Sequence, residues 1–118
     1  MAAQMGLTLI PAPIAAGQSL SAQVDIGAGK LAGIYFPANW TTAAPTFQVS
    51  PDGGATWYEH FSYNGSETVF GYDSGAAAYL AVDQTLWQGV VSLKVRSGTA
   101  ATPINQAGTV TLQLVLKI

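Results

Sequence analysis

The chain has 118 residues, which is enough for one domain built around one hydrophobic core. Hydrophobic residues make up 49% of it and charged residues only 8%, against about 25% charged in an ordinary soluble domain, and this composition excludes a disordered chain. Four Lys and Arg residues are too few to bind nucleic acid electrostatically, no apolar stretch is long enough to span a membrane, and the absence of cysteine excludes disulfides and thiolate metal sites.

The first 18 residues are predicted to form an N-terminal strand or arm, and residues 19–118 a β-sandwich domain. Residues 7–10 read as a short strand that Pro11 and Pro13 bring to an end. Two interpretations of the stretch stay open. It is either an arm that lies on a neighbouring subunit or an ordinary edge strand followed by a loop.

Strand signals dominate the rest of the chain. Between residues 18 and 26 apolar and polar residues alternate, which is the two-residue period of a half-buried strand. Gly27 and Gly29 predict a turn, after which the chain returns in the simplest arrangement as an antiparallel strand over residues 30–36. Further strands are predicted at 46–50, 56–61, 67–70, 77–82, 91–96 and 109–118, and a single helical turn at 84–88.

These elements predict an all-β fold, because no segment of useful length has the period of a helix. Turn signals recur about every ten residues, as they do in sandwiches and barrels. We therefore predict a single-domain β-sandwich, jelly-roll-like, with about eight or nine short antiparallel strands.

The sharpest local motif lies between residues 50 and 57. It resembles the Asp-box of sialidases and related proteins, S-x-D-x-G-x-T-W, at every defined position. In such a hairpin the aspartate accepts backbone N–H bonds across the turn, a glycine supplies positive φ and the tryptophan packs over the bend. In the enzymes that carry it the box is a structural corner, so we predict a structural hairpin formed by Ser50, Asp52, Gly54, Thr56 and Trp57.

Catalytic groups are sparse. His60 is the only histidine, and the adjacent Glu59 points to the opposite face of a strand, so it cannot orient the imidazole. The six acidic residues are scattered, which disfavours the facing carboxylates of a glycosidase; a hydrolase remnant, suggested by the Asp-box alone, would need such a pair. One histidine and no cysteine exclude the usual zinc sites. We predict no enzyme activity, no cofactor and no metal.

The aromatic residues suggest a different kind of site, because exposed rings can stack on sugar faces. Strand alternation puts Trp57 and Phe61 on one face and Tyr58 and His60 on the other. The alternative is that one of these faces is core and the other an interface between subunits. The full aromatic set consists of Trp40, Trp57, Tyr58, Phe61, Tyr63 and Trp87.

Three segments carry a family resemblance. Residues 31–41 contain G-I-x-x-P-x-x-W-T, residues 46–54 read T-F-Q-V-S-x-D-G-G, and residues 93–106 contain L-K-V-R-S-G-T followed by P-x-N-Q. Together they resemble small structural proteins encoded among the head and tail genes of tailed bacteriophages and prophages. The resemblance covers residues 30–117.

This resemblance implies a virion protein, assembled in the host cytoplasm, that packs into a symmetric particle. It favours a capsid decoration (cement) protein that bridges and stabilises major capsid protein subunits and associates with itself, with a trimer as the expected oligomer. The low charge then reflects a surface covered by protein, although a neutral polar surface would also explain it. The alternative is a carbohydrate-binding module of a head spike, fibre or tail that takes a host glycan. Expected contact residues are Trp40, Trp87, Leu9, Ile10 and Ile14.

Overall fold

The computed structural model describes residues 6–27, 29–69 and 77–118, which form two four-stranded antiparallel sheets. One sheet has the strand order β1-β8-β3-β6 and the other β2-β7-β4-β5. The predicted all-β, two-sheet, single-globule class is confirmed. The elements are β1 (Leu7–Ile14), β2 (Val24–Asp25), β3 (Lys30–Phe36), β4 (Pro45–Ser50), β5 (Tyr58–Glu59), β6 (Ala78–Ala81), a 3₁₀ helix (Gln84–Trp87), β7 (Ser92–Ser97) and β8 (Val110–Lys117).

The first strand is longer than predicted, because it continues through Pro11 and Pro13. The strand tolerates both prolines because β1 lies at the edge of its sheet, where the backbone N–H groups on the open side have no neighbouring strand to bond. The carbonyl of Pro13 confirms this orientation, since it accepts a hydrogen bond from the backbone N–H of Ala22 rather than from β8. Of the two interpretations of the N-terminal stretch, Leu7–Ile14 is the edge strand; residues 1–5 of the predicted arm lie outside the described residues.

The predicted hairpin between residues 18–26 and 30–36 is wrong. β2 pairs with β7 and β3 pairs with β8 and β6, so the turn at Gly27 carries the chain from one sheet to the other. The strand before this turn shrinks to two residues, and Leu20 contributes only an isolated bridge to Arg96. A glycine turn between two apolar runs is compatible with a hairpin in one sheet and with a crossing between two sheets. The crossing allows Val24 and Ile26 to be buried between the sheets.

The region after the Asp-box also has shorter strands than predicted. Only Tyr58–Glu59 is a strand, and the expected strand at 67–70 is reduced to a bridge between Phe61 and Glu67, with residue 70 outside the described ranges. The later predictions fare better. Strands at 77–82, 91–96 and 109–118 and the helical turn at 84–88 appear as β6, β7, β8 and the 3₁₀ helix, within two residues at each end.

The core lies between the sheets and contains the two largest buried rings. The Trp87 indole meets Phe47 edge-on, with ring centroids 4.7 Å apart, and the imidazole of His60 at 4.6 Å. Trp40 packs edge-on against Phe36 at 4.9 Å. Around these rings the core is aliphatic, which keeps both sheets pressed together by apolar burial. Its buried aliphatic members include Ile14, Val24, Leu31, Ile34, Leu93, Val95, Leu112, Leu114 and Leu116.

Candidate interaction surfaces

The outer surface of the β1-β8-β3-β6 sheet is exposed and almost uncharged, and we call it the open face. Side chains alternate along each strand, so that Leu9 points outward while Ile14 points into the core. The strand register places Tyr35 between Gln113 on β8 and Tyr79 on β6. The open face consists of Leu7, Leu9, Pro11, Pro13, Gly33, Tyr35, Tyr79, Ala81, Thr111, Gln113 and Val115.

Two tyrosines form the middle of the open face. The rings of Tyr35 and Tyr79 are cross-strand neighbours with centroids 4.5 Å apart, and each is about half exposed. Tyr79 lies across Gly33, and a Cβ at that position would collide with its hydroxyl and ring carbons. The missing side chain at Gly33 therefore lets an aromatic ring lie along the sheet and cover its backbone, as aromatic residues do over strand glycines.

Charge on the open face is confined to one end. Lys30 and Lys117 are directly opposite each other there, and no other position of the face in the described strands carries a charge. An exposed apolar patch with a polar rim is typical of an interaction site rather than of a surface that only meets water.

The opposite side of the molecule carries most of the charge. Of the nine charged residues that the structure describes, six lie on or beside the β2-β7-β4-β5 sheet, and Lys30, Asp83 and Lys117 lie on or beside the other sheet. The two sides of this sandwich therefore differ sharply in character, although the overall charge density is low. The six residues are Asp25, Asp52, Glu59, Glu67, Lys94 and Arg96.

Arg96 is the centre of this charged side. Its side chain is 6% exposed, and both terminal nitrogens donate to Glu59, at 2.8 Å each. Nη1 also donates to Glu67 at 3.3 Å and to the Thr46 hydroxyl at 3.2 Å. The hydrogen bonds from Arg96 lower the pKa of Glu59 below its usual value, and Gln48 donates to the same carboxylate at 3.0 Å. This network fixes the segment from β5 to Glu67 against β4 and β7.

Glu59 and Glu67 are thus brought together, which sequence spacing did not predict. Arg96 lies between them and favours the ionised form of Glu59. A glycosidase needs one of its two carboxyl groups protonated, with a raised pKa, to act as general acid. The arrangement suits an ion-pair network better than acid catalysis.

An aromatic hairpin projects beyond this network. The turn at residues 62–65 is closed by hydrogen bonds from Ser62 and Gly65, and at its tip the Tyr63 side chain is 99% exposed. Phe61 and Tyr58 are each more than half exposed on the same segment. We call Tyr58, Phe61 and Tyr63 the aromatic hairpin residues. Trp57 lies deeper, with the Lys94 ammonium 4.5 Å from its ring centroid.

The Asp-box residues form the self-stabilised hairpin that the motif predicts. Asp52 accepts hydrogen bonds from the Ser50 hydroxyl at 2.8 Å and the Thr56 N–H at 2.9 Å, and both lower the pKa of this exposed carboxyl. The Ser50 hydroxyl in turn accepts the Gly54 N–H at 2.8 Å. The Trp57 ring contacts the Lys94 ammonium on β7.

His60 is a core residue. One ring nitrogen is 2.6 Å from the Thr68 hydroxyl and the other 2.7 Å from the Leu86 carbonyl oxygen, while the ring packs on Trp87. Because a carbonyl can only accept, Nε2 carries a proton, and the second nitrogen can then accept from Thr68. Burial lowers the pKa of His60, so the neutral imidazole is the form that this site holds.

The predicted contact residues divide into two groups. Leu9 lies on the open face and Ile10 is half-buried beneath it. Trp40, Trp87 and Ile14 are buried in the core, so the prediction that they contact a neighbouring subunit is wrong. The two tryptophans were predicted as contact residues because they are large and aromatic, but residues of this kind occur in protein cores as well as at interfaces.

The segments 31–41, 46–54 and 93–106 contact one another. The side-chain oxygen of Gln106 accepts the Thr41 N–H at 2.7 Å, and its amide nitrogen donates to the Thr41 carbonyl at 3.1 Å. The Thr46 hydroxyl donates to the Gly98 carbonyl at 2.6 Å. Gln106 is fully buried. These motif residues hold the connections between strands in place and do not themselves form an exposed site.

Other candidate sites are weaker. A pocket of about 270 Å³ lies between loops 42–44 and 98–104, and no ionisable residue lines it. In the described ranges, no group of three or more His, Cys, Asp or Glu residues is arranged to hold a metal ion. No helix among these residues is long and apolar enough to cross a membrane.

Sequence reasoning missed the open face and the Arg96 network. The open face did leave a signal, since Leu9 and Ile10 on β1 and Val115 beside Leu114 on β8 make both faces of these strands apolar. The Arg96 network left none, because its members are separated by tens of residues. Comparisons with protein-family models, curated proteins and solved structures find no match to this chain.

Proposed function

We propose that the protein is a non-enzymatic structural component of a bacteriophage virion, a capsid decoration protein that binds and stabilises major capsid protein subunits. The observation that carries the proposal is the open face, a half-exposed apolar sheet surface with charge at one end only. A protein that is packed against other subunits can have such a surface, whereas a free monomer needs a charged surface to stay soluble.

The strand order supports this proposal. The chain crosses from one sheet to the other at every connection except that between β4 and β5, as interleaved Greek keys require, and we interpret the fold as jelly-roll-like. Jelly rolls recur in viral capsid domains and also in lectins. The fold alone therefore does not choose between a capsid and a glycan-binding role, and the resemblance of residues 31–41, 46–54 and 93–106 to phage structural proteins favours the first.

In this role each copy opposes separation of neighbouring capsid subunits by burying neutral surface across their joints. A modest free energy at each site is sufficient, because the contacts repeat over a symmetric shell and the particle holds them simultaneously. No catalytic residue takes part. The residues at the capsid contact are surface residues, so buried Trp40 and Trp87 are not among them.

The test is the copy number of this protein in purified particles. Virions of the phage or induced prophage that encodes the chain are banded by density, and the protein is quantified by mass spectrometry relative to the major capsid protein. A decoration protein is expected at a copy number comparable to that of the major capsid protein. A few copies per virion would instead indicate a spike, fibre or tail, and absence from the banded particles would overturn the proposal.

A second candidate function is glycan binding by a spike or fibre module, and the aromatic hairpin favours it. Tyr58, Phe61 and Tyr63 are exposed beside hydroxyl and amide groups of Ser62 and Asn64, which is the combination that sugars need. A glycan array probed with the wild-type protein and with Tyr63→Ala tests this function. Binding that Tyr63→Ala abolishes would support it, and no binding to any glycan would count against it.

A further inference from the structure

We propose that two copies of this chain pack open face against open face to form a symmetric dimer. The proposal concerns the free protein, in which a second copy covers the face that capsid subunits would cover in the virion, and its test does not depend on the virion role. Three observations lead to it: the charge pattern of the face, its size, and the closure of the neighbouring strand edge.

The charge pattern suits a second copy of the same chain. Between the Lys30–Lys117 end and the opposite end the face carries only aliphatic, aromatic, hydroxyl and amide side chains. An isologous contact brings each patch against itself, so a face with many like charges would repel its copy. Here the two lysine ends lie away from the centre, and a two-fold axis that lies in the interface and runs across the strands at Tyr35 places them at opposite ends of the pair.

The size of the face is at the lower limit of a specific interface. Its strands have eight, eight, seven and four residues, and with about 3.4 Å per residue and about 4.8 Å between strands the flat projection is about 440 Å² per copy. A pair therefore covers about 900 Å² before side-chain relief is added. Specific interfaces begin at about 1,000 Å², so a dimer on this face must use nearly all of it.

The adjacent strand edge is closed to a partner strand over half its length. Odd-numbered residues of β1 direct their backbone groups away from β8, as the bond from Ala22 to the Pro13 carbonyl shows. Pro11 and Pro13 occupy two of these positions and have no N–H to donate. Proline on an edge strand prevents edge-to-edge pairing, so a second copy that meets the molecule beside β1 packs on the face and not on this edge.

Paired charge variants test this arrangement. Tyr35 lies in the middle of the face, so Tyr35→Lys or Tyr35→Glu places like charges against each other across the two-fold axis. We expect sedimentation velocity at micromolar concentration to give a dimer for wild type and a monomer for each variant alone. An equimolar mixture of the two variants is expected to give a dimer again, because Lys then faces Glu. Misfolded variants would not recover on mixing.

Control and second variants keep the outcome decisive. Phe61→Lys adds the same charge at a site of similar exposure, 56% against 49% for Tyr35, on the far side of the molecule, and should remain dimeric. Leu9→Lys, at the margin of the open face, should weaken the dimer and disturb the fold less than the Tyr35 variants do. A monomeric or trimeric wild type, a dimer that the Tyr35 and Leu9 variants leave intact, or equal disruption by Phe61→Lys would each overturn the proposal. A monomer found at high copy number in virions would overturn the dimer and leave the virion role standing.

Discussion

Arg96 is the residue whose removal tests the structure most directly, because it joins segments that are far apart in the sequence. Arg96→Met keeps much of the aliphatic volume and removes hydrogen bonds to Thr46, Glu59 and Glu67. Two carboxylates are then left close together with no cation between them. Breaking a buried ion pair costs about 3–5 kcal/mol, whereas breaking an exposed one costs less than about 1 kcal/mol.

The partial exposure of the acids places the expected loss at the lower end of that range. The Glu59 and Glu67 side chains are 30% and 21% exposed against 6% for Arg96, so water screens the carboxylates once the arginine is gone. We expect the free energy of unfolding to fall by about 3 kcal/mol. For a chain of this length that corresponds to a drop in Tm of about 10 °C.

Equilibrium urea unfolding at a single protein concentration measures this loss, and the chain offers a matched control. Lys94 lies on the same strand and the same face, but in the described residues its ammonium contacts the Trp57 ring and no carboxylate. Lys94→Met should therefore cost less than about 1 kcal/mol. The double variant with Glu59→Gln should show a coupling energy of about 1–3 kcal/mol. If Arg96→Met costs no more than Lys94→Met, the network is not a structural element and the reasoning fails.

Three further predictions concern single positions. Asp52→Ala removes the acceptor of the Thr56 N–H and should lower the Tm, by analogy with the loss of a helix cap; an unchanged Tm would contradict the role of the Asp-box. Gly33→Ala drives a Cβ into the outer atoms of the half-exposed Tyr79 ring, which can turn away, so it should cost only the cross-strand ring contact, about 0.2–1 kcal/mol, and in a Tyr79→Ala background it should cost nothing if the collision is the cause. For His60, burial holds the folded pKa below the ordinary value of 6.5. The folded state therefore binds fewer protons than the unfolded state, and stability is complete above pH 6.5 and declines as the pH falls below it. Melting curves between about pH 8 and 5 should show this decline in wild type and a flatter profile in His60→Gln, and identical profiles would refute it.

The parts of the structure that the sequence predicts well are those that local bonds determine. The Asp-box hairpin closes through bonds that span two to four residues, between Ser50, Asp52, Gly54 and Thr56, so reading the segment is nearly sufficient. β8 was predicted for the same reason, since apolar and polar residues alternate over most of its length and only Val115 interrupts the pattern. In both cases the residues that determine the structure are neighbours in the chain.

The errors arise where distant parts of the chain decide. Gly27 allows a hairpin, but the pairing of β2 with β7 is set by residues nearly 70 positions away. Trp40 and Trp87 have the size and polarity of interface anchors, and only the sheets on either side make them core residues. Pro11 and Pro13 end a strand in the interior of a sheet and are harmless at its edge, so their effect depends on a strand order that local pattern does not contain.

The distribution of charge over the outer surfaces of the two sheets indicates that the two surfaces have different roles. Composition alone left two explanations for ten charges in 118 residues, a neutral polar surface and a surface covered by protein. In the fold these charges are unevenly distributed: of the nine in the described residues, six lie on or beside the β2-β7-β4-β5 sheet, while the described strands around Tyr35 carry only Lys30 and Lys117 on their outer face, at one end. A surface that was merely neutral would mix the two kinds of residue on both sides. Separation of charged from apolar residues instead gives one side that water solvates well and one side whose burial against another protein lowers the free energy. On this argument the charged side presents the exposed aromatic hairpin to solvent, and the open face is the surface through which the protein contacts other subunits.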